Sequence, residues 1–183
     1  MIDKIKTYTD PLDPTANTAT DNQWLDEDVY RELVKKTVVT CADIIITLTG
    51  VSDRVYLARR AVYPMKGLWF LGGRVQFNSL DMPSAAADNL ERETGYKISS
   101  DKFKFLVVND YKFIKAAQGD FPARSFAALF HLEVDAVELS QLSKGLVTSE
   151  YEPDFGLQPF EYDKLVQIKA HPAIIDAFRC IYK

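Results

Sequence analysis

The chain has 183 residues, which is about the size of one domain and enough to bury a hydrophobic core. Its formal net charge of -4 offers no basic surface of the kind that binds nucleic acid. No stretch approaches the roughly 20 apolar residues of a membrane-spanning helix, and the polar N-terminus lacks the apolar segment of a signal peptide. We therefore expect a cytoplasmic, single-domain protein that binds neither nucleic acid nor a membrane.

Cysteine and histidine are scarce, and this limits the chemistry of any site. Cys41 and Cys180 are far apart and lack the spacing of a zinc site, so we expect two reduced thiols. His131 and His171 are the only histidines. A mechanism that needs a cluster of histidines is therefore disfavoured.

The sequence of the first part of the chain predicts a flexible arm, then a helix, then two strands. Residues 1 to 23 are polar and rich in Thr, Asp, Asn and Pro, which predicts a flexible arm before a single domain over residues 24 to 183. Trp24 to Lys36 predicts a helix because its apolar residues recur at helical spacing. Val38 to Leu48 is a continuous β-branched run, typical of a strand buried on both faces. Val55 to Ala61 predicts the strand that returns after a turn.

The second part of the chain mixes strands and helices. A short strand, Leu68 to Leu71, is followed by Gly72-Gly73, which we expect to interrupt it, and by the strongest predicted helix, Met82 to Thr94, with Gly95 as its stop. The remaining predicted elements are strands at Phe103 to Tyr111, Ser125 to Val134 and Leu157 to Phe160, an acidic loop at Glu150 to Gly156, and a closing helix at Pro172 to Tyr182. This order predicts one α/β sandwich, with a mixed β-sheet between helices.

The glycine pair and the helix after it suggest a metal site. Glycines let the backbone approach a bound group closely, and this leaves the Gly73 carbonyl free to coordinate a cation. Asn89 and Glu93 lie four residues apart and share one face of the helix, as do Asp88 and Arg92. Because Mg²⁺ prefers oxygen ligands, the Gly73 carbonyl and the Glu93 carboxylate would form a minimal protein site for it, with Mn²⁺ as a possible substitute.

This segment, Trp69 to Val75 followed by Ala85 to Tyr96, resembles the Nudix box. That pattern begins at a glycine, carries an Arg-Glu pair and then a Glu-Glu pair on one helix, and ends at a second glycine. Here the first pair is Asp88-Asn89 and the second is Arg92-Glu93, so one metal-binding glutamate is retained. The exchange of charges between Asp88 and Arg92 predicts that the helix keeps the family's salt bridge with reversed polarity. The resemblance implies a Nudix-type α/β/α sandwich.

A second resemblance extends over Leu25 to Ile44 and Val55 to Gln76, which are similar to GDP-mannose mannosyl hydrolases, a Nudix subgroup with one retained metal-binding glutamate. It implies a homodimer that hydrolyses a nucleotide sugar at the anomeric carbon. The subgroup's leaving-group arginine matches Arg60, and its aspartate matches Asp43. Its late catalytic histidine falls near Glu152, which is therefore our candidate for the group that orients or deprotonates water.

Each of these residues also has a structural interpretation. Asp43 lies within an apolar strand, opposite Arg59 or Arg60 in the predicted hairpin, so the pair either stabilises the fold or binds the ligand. Arg74 follows the glycine pair and either reaches phosphate or is a surface charge. Glu152 either acts on water or is a solvated residue of an acidic loop.

Three functions remain open from the sequence. The first is a metal-dependent hydrolase of a nucleoside-diphosphate sugar resembling GDP-mannose, with Arg60 and Glu152 as catalytic residues, Asp43, Arg60 and Arg74 as substrate ligands, and Gly73 and Glu93 as metal ligands. The second is a Nudix-like module that binds a nucleotide or nucleotide sugar without turnover. The third is a conventional Nudix pyrophosphatase, which is disfavoured because it uses more helix carboxylates than the sequence provides.

Overall fold

The computed structural model describes residues 25 to 182, so the arm predicted for residues 1 to 23 lies outside the described residues. The elements in chain order are α1 Glu27–Lys36, β1 Val39–Leu48, β2 Arg54–Arg60, β3 Gly67–Trp69, β4 Leu71–Arg74, α2 Met82–Thr94, a 3-10 turn at Ser100–Lys102, β5 Phe103–Phe113, β6 Ala123–Val134, α3 Ala136–Gly145, β7 Gln158–Glu161, α4 Tyr162–Gln167 and α5 Pro172–Tyr182. None of the helices within this range is long and apolar enough to span a membrane.

A mixed sheet forms the centre of the molecule. Its main path runs β3-β2-β1-β6-β5, with β4 paired to β1 and β7 paired to β2. The central pair, β1 and β6, is parallel and runs from Val39 opposite Ser125 to Leu48 opposite Val134. The other strand pairs are antiparallel. This arrangement confirms the predicted mixed sheet.

Helices cover both faces of this sheet. On one face, Ile44 and Ile46 of β1 pack into the same cluster as Ala86 and Leu90 of α2. On the opposite face, Ile45 of β1 shares a cluster with members of α4 and α5, among them Leu165, Ile174 and Phe178. Consecutive residues of β1 therefore serve two cores, as the unbroken apolar run predicts, and the structure confirms the sandwich.

The glycine pair does not interrupt the sheet as the sequence suggested. Gly72 and Gly73 lie inside β4 and are paired with Asp43 and Ala42 of β1. Gly72 has a φ of 132°, and a Cβ atom there would lie 2.6 Å from the Asp43 Cα. A glycine is therefore needed at position 72, because the two strands approach each other too closely there for a side chain.

Helix α2 begins and ends where the sequence predicts. Asp81 is the N-cap, and its side chain accepts a 2.8 Å hydrogen bond from the Ser84 backbone N–H. Gly95 ends the helix in the left-handed conformation with a φ of 67°. Two capped ends fix the rotation of α2, and with it the positions of the side chains that face β4.

Candidate functional site

A cleft of about 420 Å³ lies beside the β1–β4 pair and receives side chains from several elements. Its charged residues are Asp43, Arg60, Arg74, Arg92 and Glu150. Its aromatic lining includes Tyr30, Tyr63, Trp69, Phe70, Tyr111 and Phe113. A hollow of this size, with apolar walls and a few convergent charges, is typical of a small-molecule site.

The structure brings most of the predicted site residues to this cleft. Asp43, Arg60, Gly73 and Arg74 line it. Glu93 lies beneath the lining and is fully buried, with 0% of its surface exposed. Glu152 is not among the lining residues, and its side chain is 47% exposed.

Glu93 is held by three donors from the protein. Its Oε2 accepts hydrogen bonds of 2.8 Å from both the Gly72 backbone N–H and the Tyr151 hydroxyl. Its Oε1 accepts a 3.1 Å hydrogen bond from Nη2 of Arg92. Burial raises the pKa of Glu93 to about 7, although the Arg92 charge and the Gly72 hydrogen bond act in the opposite direction.

The Gly73 carbonyl oxygen is also occupied by a donor. Nδ2 of Asn89 donates to it at 2.9 Å, and Asn89 is itself buried. Nη2 of Arg92 lies close to the same glycine, since a Cβ atom at Gly73 would be 3.0 Å from it. An amide and a guanidinium group therefore face the two oxygens that the sequence suggested as metal ligands.

These contacts do not fit a divalent cation bound between Gly73 and Glu93. A cation needs oxygen lone pairs that point toward it, but the nearest groups on α2 are the donors of Asn89 and Arg92. In the part of the chain from Leu25 to Tyr182, no group of three or more His, Cys, Asp or Glu residues is arranged to hold a metal ion.

Arg92 forms its ion pairs with residues other than the one that the sequence predicted. Its Nη1 donates to Oε1 of Glu150 at 2.9 Å, and no ion pair joins it to Asp88 within residues 25 to 182. The predicted Asp88–Arg92 salt bridge is therefore wrong. Asp88 instead accepts a 3.4 Å hydrogen bond from Ser79 in the preceding loop.

Glu150 links Arg92 to Arg60. Its Oε2 lies 3.1 Å from Nη2 of Arg60, while its Oε1 bonds Arg92. The side chain of Arg60 is only 12% exposed, and its buried Nε has no hydrogen-bond partner among the described residues. A buried donor of this kind is costly unless something accepts from it, and Arg60 is one of the residues that line the cleft.

Asp43 is paired with different residues from those the predicted hairpin suggested. Its partners in the sheet are Gly72 of β4 and Leu129 of β6. Burial and the neighbouring Glu93 raise the pKa of Asp43 to about 7, and Arg60 opposes this shift. Asp43 is thus a carboxyl group that lines the cleft and titrates near neutral pH.

The two remaining predicted residues, Arg74 and Glu152, each contact a neighbouring side chain. The Arg74 guanidinium lies 4.2 Å from the centroid of the Tyr30 ring, at the side of the cleft formed by α1. Glu152 lies 3.3 Å from Nη1 of Arg59, which itself stacks on the Phe155 ring.

Sequence reasoning missed three of the residues that build the site, Arg92, Glu150 and Tyr151. Arg92 was recognised as a departure from the Nudix box but not as a cleft residue. Glu150 and Glu152 are acidic residues of one loop, and no pattern in the sequence shows which of them enters the cleft. Tyr151 reaches Glu93 because it forms an isolated bridge with Arg60 at the end of β2, a contact between distant parts of the chain.

Comparison with known proteins gives matches at the level of structure. No protein-family model matches the chain, and no curated protein sequence matches it. The NUDIX domain of Shewanella oneidensis NrtR, solved in complex with ADP ribose, has a TM-score of 0.52 and 15% sequence identity, covering 79% of this chain and 88% of that one. The MutT protein from Methanosarcina mazei Go1 has a TM-score of 0.55 and 15% identity, covering 79% of this chain and 93% of that one.

Identities this low establish the architecture and nothing more specific. Both structures share the fold of this chain over 79% of its length, and the first of them is a NUDIX domain. The chain therefore has the Nudix fold.

Proposed function

We propose that the protein binds a nucleoside-diphosphate compound in this cleft and hydrolyses it, with a nucleotide sugar such as GDP-mannose as the first substrate to test. The observation that carries the proposal is Arg60, whose buried Nε has no hydrogen-bond partner among the described residues, in a cleft that Arg74 and Arg92 also line. Guanidinium groups offer several donors in a fixed plane, which suits the oxygens of a diphosphate. The aromatic walls suit the flat face of a base.

The cleft is suited to cleavage at the anomeric carbon. In that reaction water adds its oxygen to the sugar, the glycosidic C–O bond breaks, and the nucleoside diphosphate leaves with the bonding electron pair. Arg60 is the candidate group that stabilises the leaving diphosphate, because it lines the cleft and its buried Nε has no hydrogen-bond partner among the described residues. Attack at carbon requires less charge neutralisation around phosphorus than a pyrophosphatase reaction does, which suits a helix with few carboxylates.

The proton released by water needs an acceptor, and two carboxyl groups are candidates. Asp43 lines the cleft, and its pKa of about 7 places it in the range suited to a general base at neutral pH. Glu152, the candidate from the sequence, is paired with Arg59 outside the lining. Loss of turnover in Asp43→Asn but not in Glu152→Gln would identify Asp43 as the base, and the reverse would identify Glu152.

The decisive experiment is to incubate the protein with a panel of nucleotide sugars in ¹⁸O water and to locate the label. We expect the label on the released sugar, and turnover to fall sharply in Arg60→Gln. Label on phosphate would instead identify attack at phosphorus, as in a pyrophosphatase. The homodimer implied by the resemblance can be checked on the same preparation by light scattering.

A second candidate function is a module that binds the same compounds without hydrolysing them. Its support is the hydrogen bonding of the Gly73 carbonyl to Asn89 and of Glu93 to Arg92, which places donors beside both of the oxygens suggested as metal ligands. Saturable binding in calorimetry, together with no turnover of any panel member with Mg²⁺ or Mn²⁺, would favour the module over the hydrolase.

A further inference from the structure

We propose that the guanidinium group of Arg92 takes the place of a divalent cation in this cleft, so that the site binds the diphosphate of its ligand without a metal ion. This inference rests on the proposed function, since it concerns how the same cleft holds a nucleoside diphosphate. It applies equally to a hydrolase and to a binding module.

The first step is the position of the guanidinium group. Nη2 of Arg92 donates to the buried Glu93 at 3.1 Å, and Nη1 donates to Glu150 at 2.9 Å. The same group lies against Gly73, where an added Cβ atom would be 3.0 Å from Nη2. A positive charge is thus already present at the meeting point of the two carboxylates and the glycine backbone, where the sequence alone suggested Mg²⁺.

The second step is the Gly73 carbonyl, the other oxygen suggested as a metal ligand. The Asn89 amide donates to it at 2.9 Å and lies one turn before Glu93 on α2. The two oxygens that could have bound a metal ion, those of Gly73 and Glu93, therefore accept hydrogen bonds from Asn89 and Arg92. A metal ion at this place would have to displace a buried amide and approach a guanidinium cation at short range, and both changes cost free energy.

The third step is the availability of donors for a ligand. Arg92 lines the cleft with 37% of its side chain exposed. Guanidinium has five N–H donors, and the bonds to Glu93 and Glu150 leave others for phosphate oxygens. Glu150 also holds Arg60, whose buried Nε lacks a partner among residues 25 to 182. One carboxylate therefore positions two guanidinium groups beside the same cavity.

Two consequences separate this arrangement from a metal-dependent site. A nucleoside diphosphate should bind equally well in excess EDTA and in Mg²⁺, because the protein supplies the cations. Mn²⁺ alone should show no saturable binding to the protein, because the oxygens it would need accept hydrogen bonds from Asn89 and Arg92.

The experiment is a calorimetric titration with guanosine diphosphate, in EDTA and in Mg²⁺, of the wild type and of Arg92→Gln, Arg92→Lys and Arg179→Gln. For the wild type we expect dissociation constants in the two buffers that agree within about twofold. For Arg92→Gln we expect binding in EDTA to weaken by about tenfold to a hundredfold, as for loss of a charge-assisted hydrogen bond. Arg92→Lys keeps the charge and should be affected less. Arg179 lies on α5, makes a 3.2 Å ion pair of its own, and serves as the matched control because it does not line the cleft.

The outcomes are distinguishable. Binding that is at least about tenfold tighter in Mg²⁺, or saturable Mn²⁺ binding that Glu93→Gln removes, overturns the inference and leaves the proposed function intact. Absence of binding to any nucleoside diphosphate or nucleotide sugar in both buffers rejects the proposed function and the inference together. Circular dichroism of each variant separates loss of binding from loss of folding, and the Arg92→Lys result decides the matter if Arg92→Gln does not fold.

Discussion

The Tyr151 hydroxyl donates a 2.8 Å hydrogen bond to Oε2 of Glu93, and both side chains are almost completely removed from solvent. The bond joins the loop after α3 to the middle of the site. In the Tyr151→Phe variant the buried carboxylate would lose one of its three donors. We expect the free energy of unfolding to fall by about 1–3 kcal/mol, the cost of a buried group left without a hydrogen bond.

Urea unfolding followed by circular dichroism would measure this loss. The control is Tyr56→Phe on β2, because the Tyr56 hydroxyl makes no hydrogen bond with the described residues and its ring packs at the edge of a core cluster. An equal loss in both variants would mean that the Tyr151 hydroxyl contributes nothing specific to Glu93.

Gly72→Ala should prevent normal folding. A methyl group at this position would collide with the backbone of β1 at Ala42 and would lie 2.6 Å from the Asp43 Cα, and the φ of 132° is itself unfavourable for alanine. Gly50→Ala is the matched control, because Gly50 also has a positive φ, of 76°, but its Cβ would meet nothing within 4 Å.

We expect Gly50→Ala to remain folded, with a loss of about 1 kcal/mol from backbone strain. Gly72→Ala should be recovered mainly as insoluble protein or should unfold at a much lower temperature. Similar melting temperatures for the two variants would contradict the close approach of β4 to β1.

Asp43→Asn should change how stability depends on pH. Burial raises the pKa of Asp43 from its ordinary 3.8 to about 7 in the folded protein. Between these two values the unfolded chain releases this proton while the folded protein retains it, so this group makes the free energy of unfolding fall as pH rises. Asparagine does not titrate, and the variant should therefore gain stability relative to the wild type across this range, by on the order of 4 kcal/mol, and level off above it.

Denaturant unfolding at a series of pH values would test this. Asp53→Asn is the control, because the hydrogen bond from Arg54 lowers the pKa of the exposed Asp53. The difference in stability between Asp53→Asn and the wild type should therefore stay constant above pH 3.8, the ordinary value, and should diminish only as the pH falls below it. A constant difference between Asp43→Asn and the wild type over the whole range would show that Asp43 is ionised throughout.

Arg60→Gln should weaken the binding of nucleoside diphosphates by about tenfold or more, because a buried charged donor would be lost from the cleft. Arg54→Gln on the same strand is the control, since Arg54 pairs with Asp53 at 2.7 Å and does not line the cleft. Calorimetric titration of both variants would measure the difference. Equal affinities for the two variants would show that Arg60 does not contribute to ligand binding.

Asn89→Glu combined with Arg92→Glu should convert the site to one that needs a metal ion. Four carboxylates, with Glu93 and Glu150, would then meet around Gly73 with no guanidinium group to neutralise them. We expect the melting temperature of the double variant to fall in EDTA and to rise with added Mn²⁺, while that of the wild type is unaffected. If added Mn²⁺ does not change the melting temperature of the double variant, carboxylates at these positions do not form a cation site.

The sequence predicts the elements whose signals are local. The helix Met82–Thr94 matches its predicted bounds because an N-cap, an apolar stripe and a glycine stop all lie within it. The strand at Val39–Leu48 is equally clear because both of its faces are buried. The helix Ala136–Gly145 was missed, although Asp135 and Glu138 form a capping box at its start.

The candidate site was only partly predictable, because its contacts join distant parts of the chain. The resemblance pointed to Asp43 and Arg60, and the position directly after the glycine pair pointed to Arg74; all three line one cleft. The partners of Arg92 could not be read from the spacing of α2 alone, since the favoured acid, Glu150, comes from a loop 58 residues later. A guanidinium group pairs with whichever carboxylate the tertiary fold brings close, whatever the spacing on its own helix suggests.

The parallel pairing of β1 with β6 has a consequence for synthesis of the chain. Ile45 lies opposite His131, and Leu48 lies opposite Val134, so the middle of the sheet joins segments separated by more than half of the described sequence. During translation the isoleucines of β1 leave the ribosome long before their neighbours in β6 exist, and they remain exposed until Val134 has emerged. Closing so long a loop is slow, and this interval is when a nascent chain is most prone to aggregate.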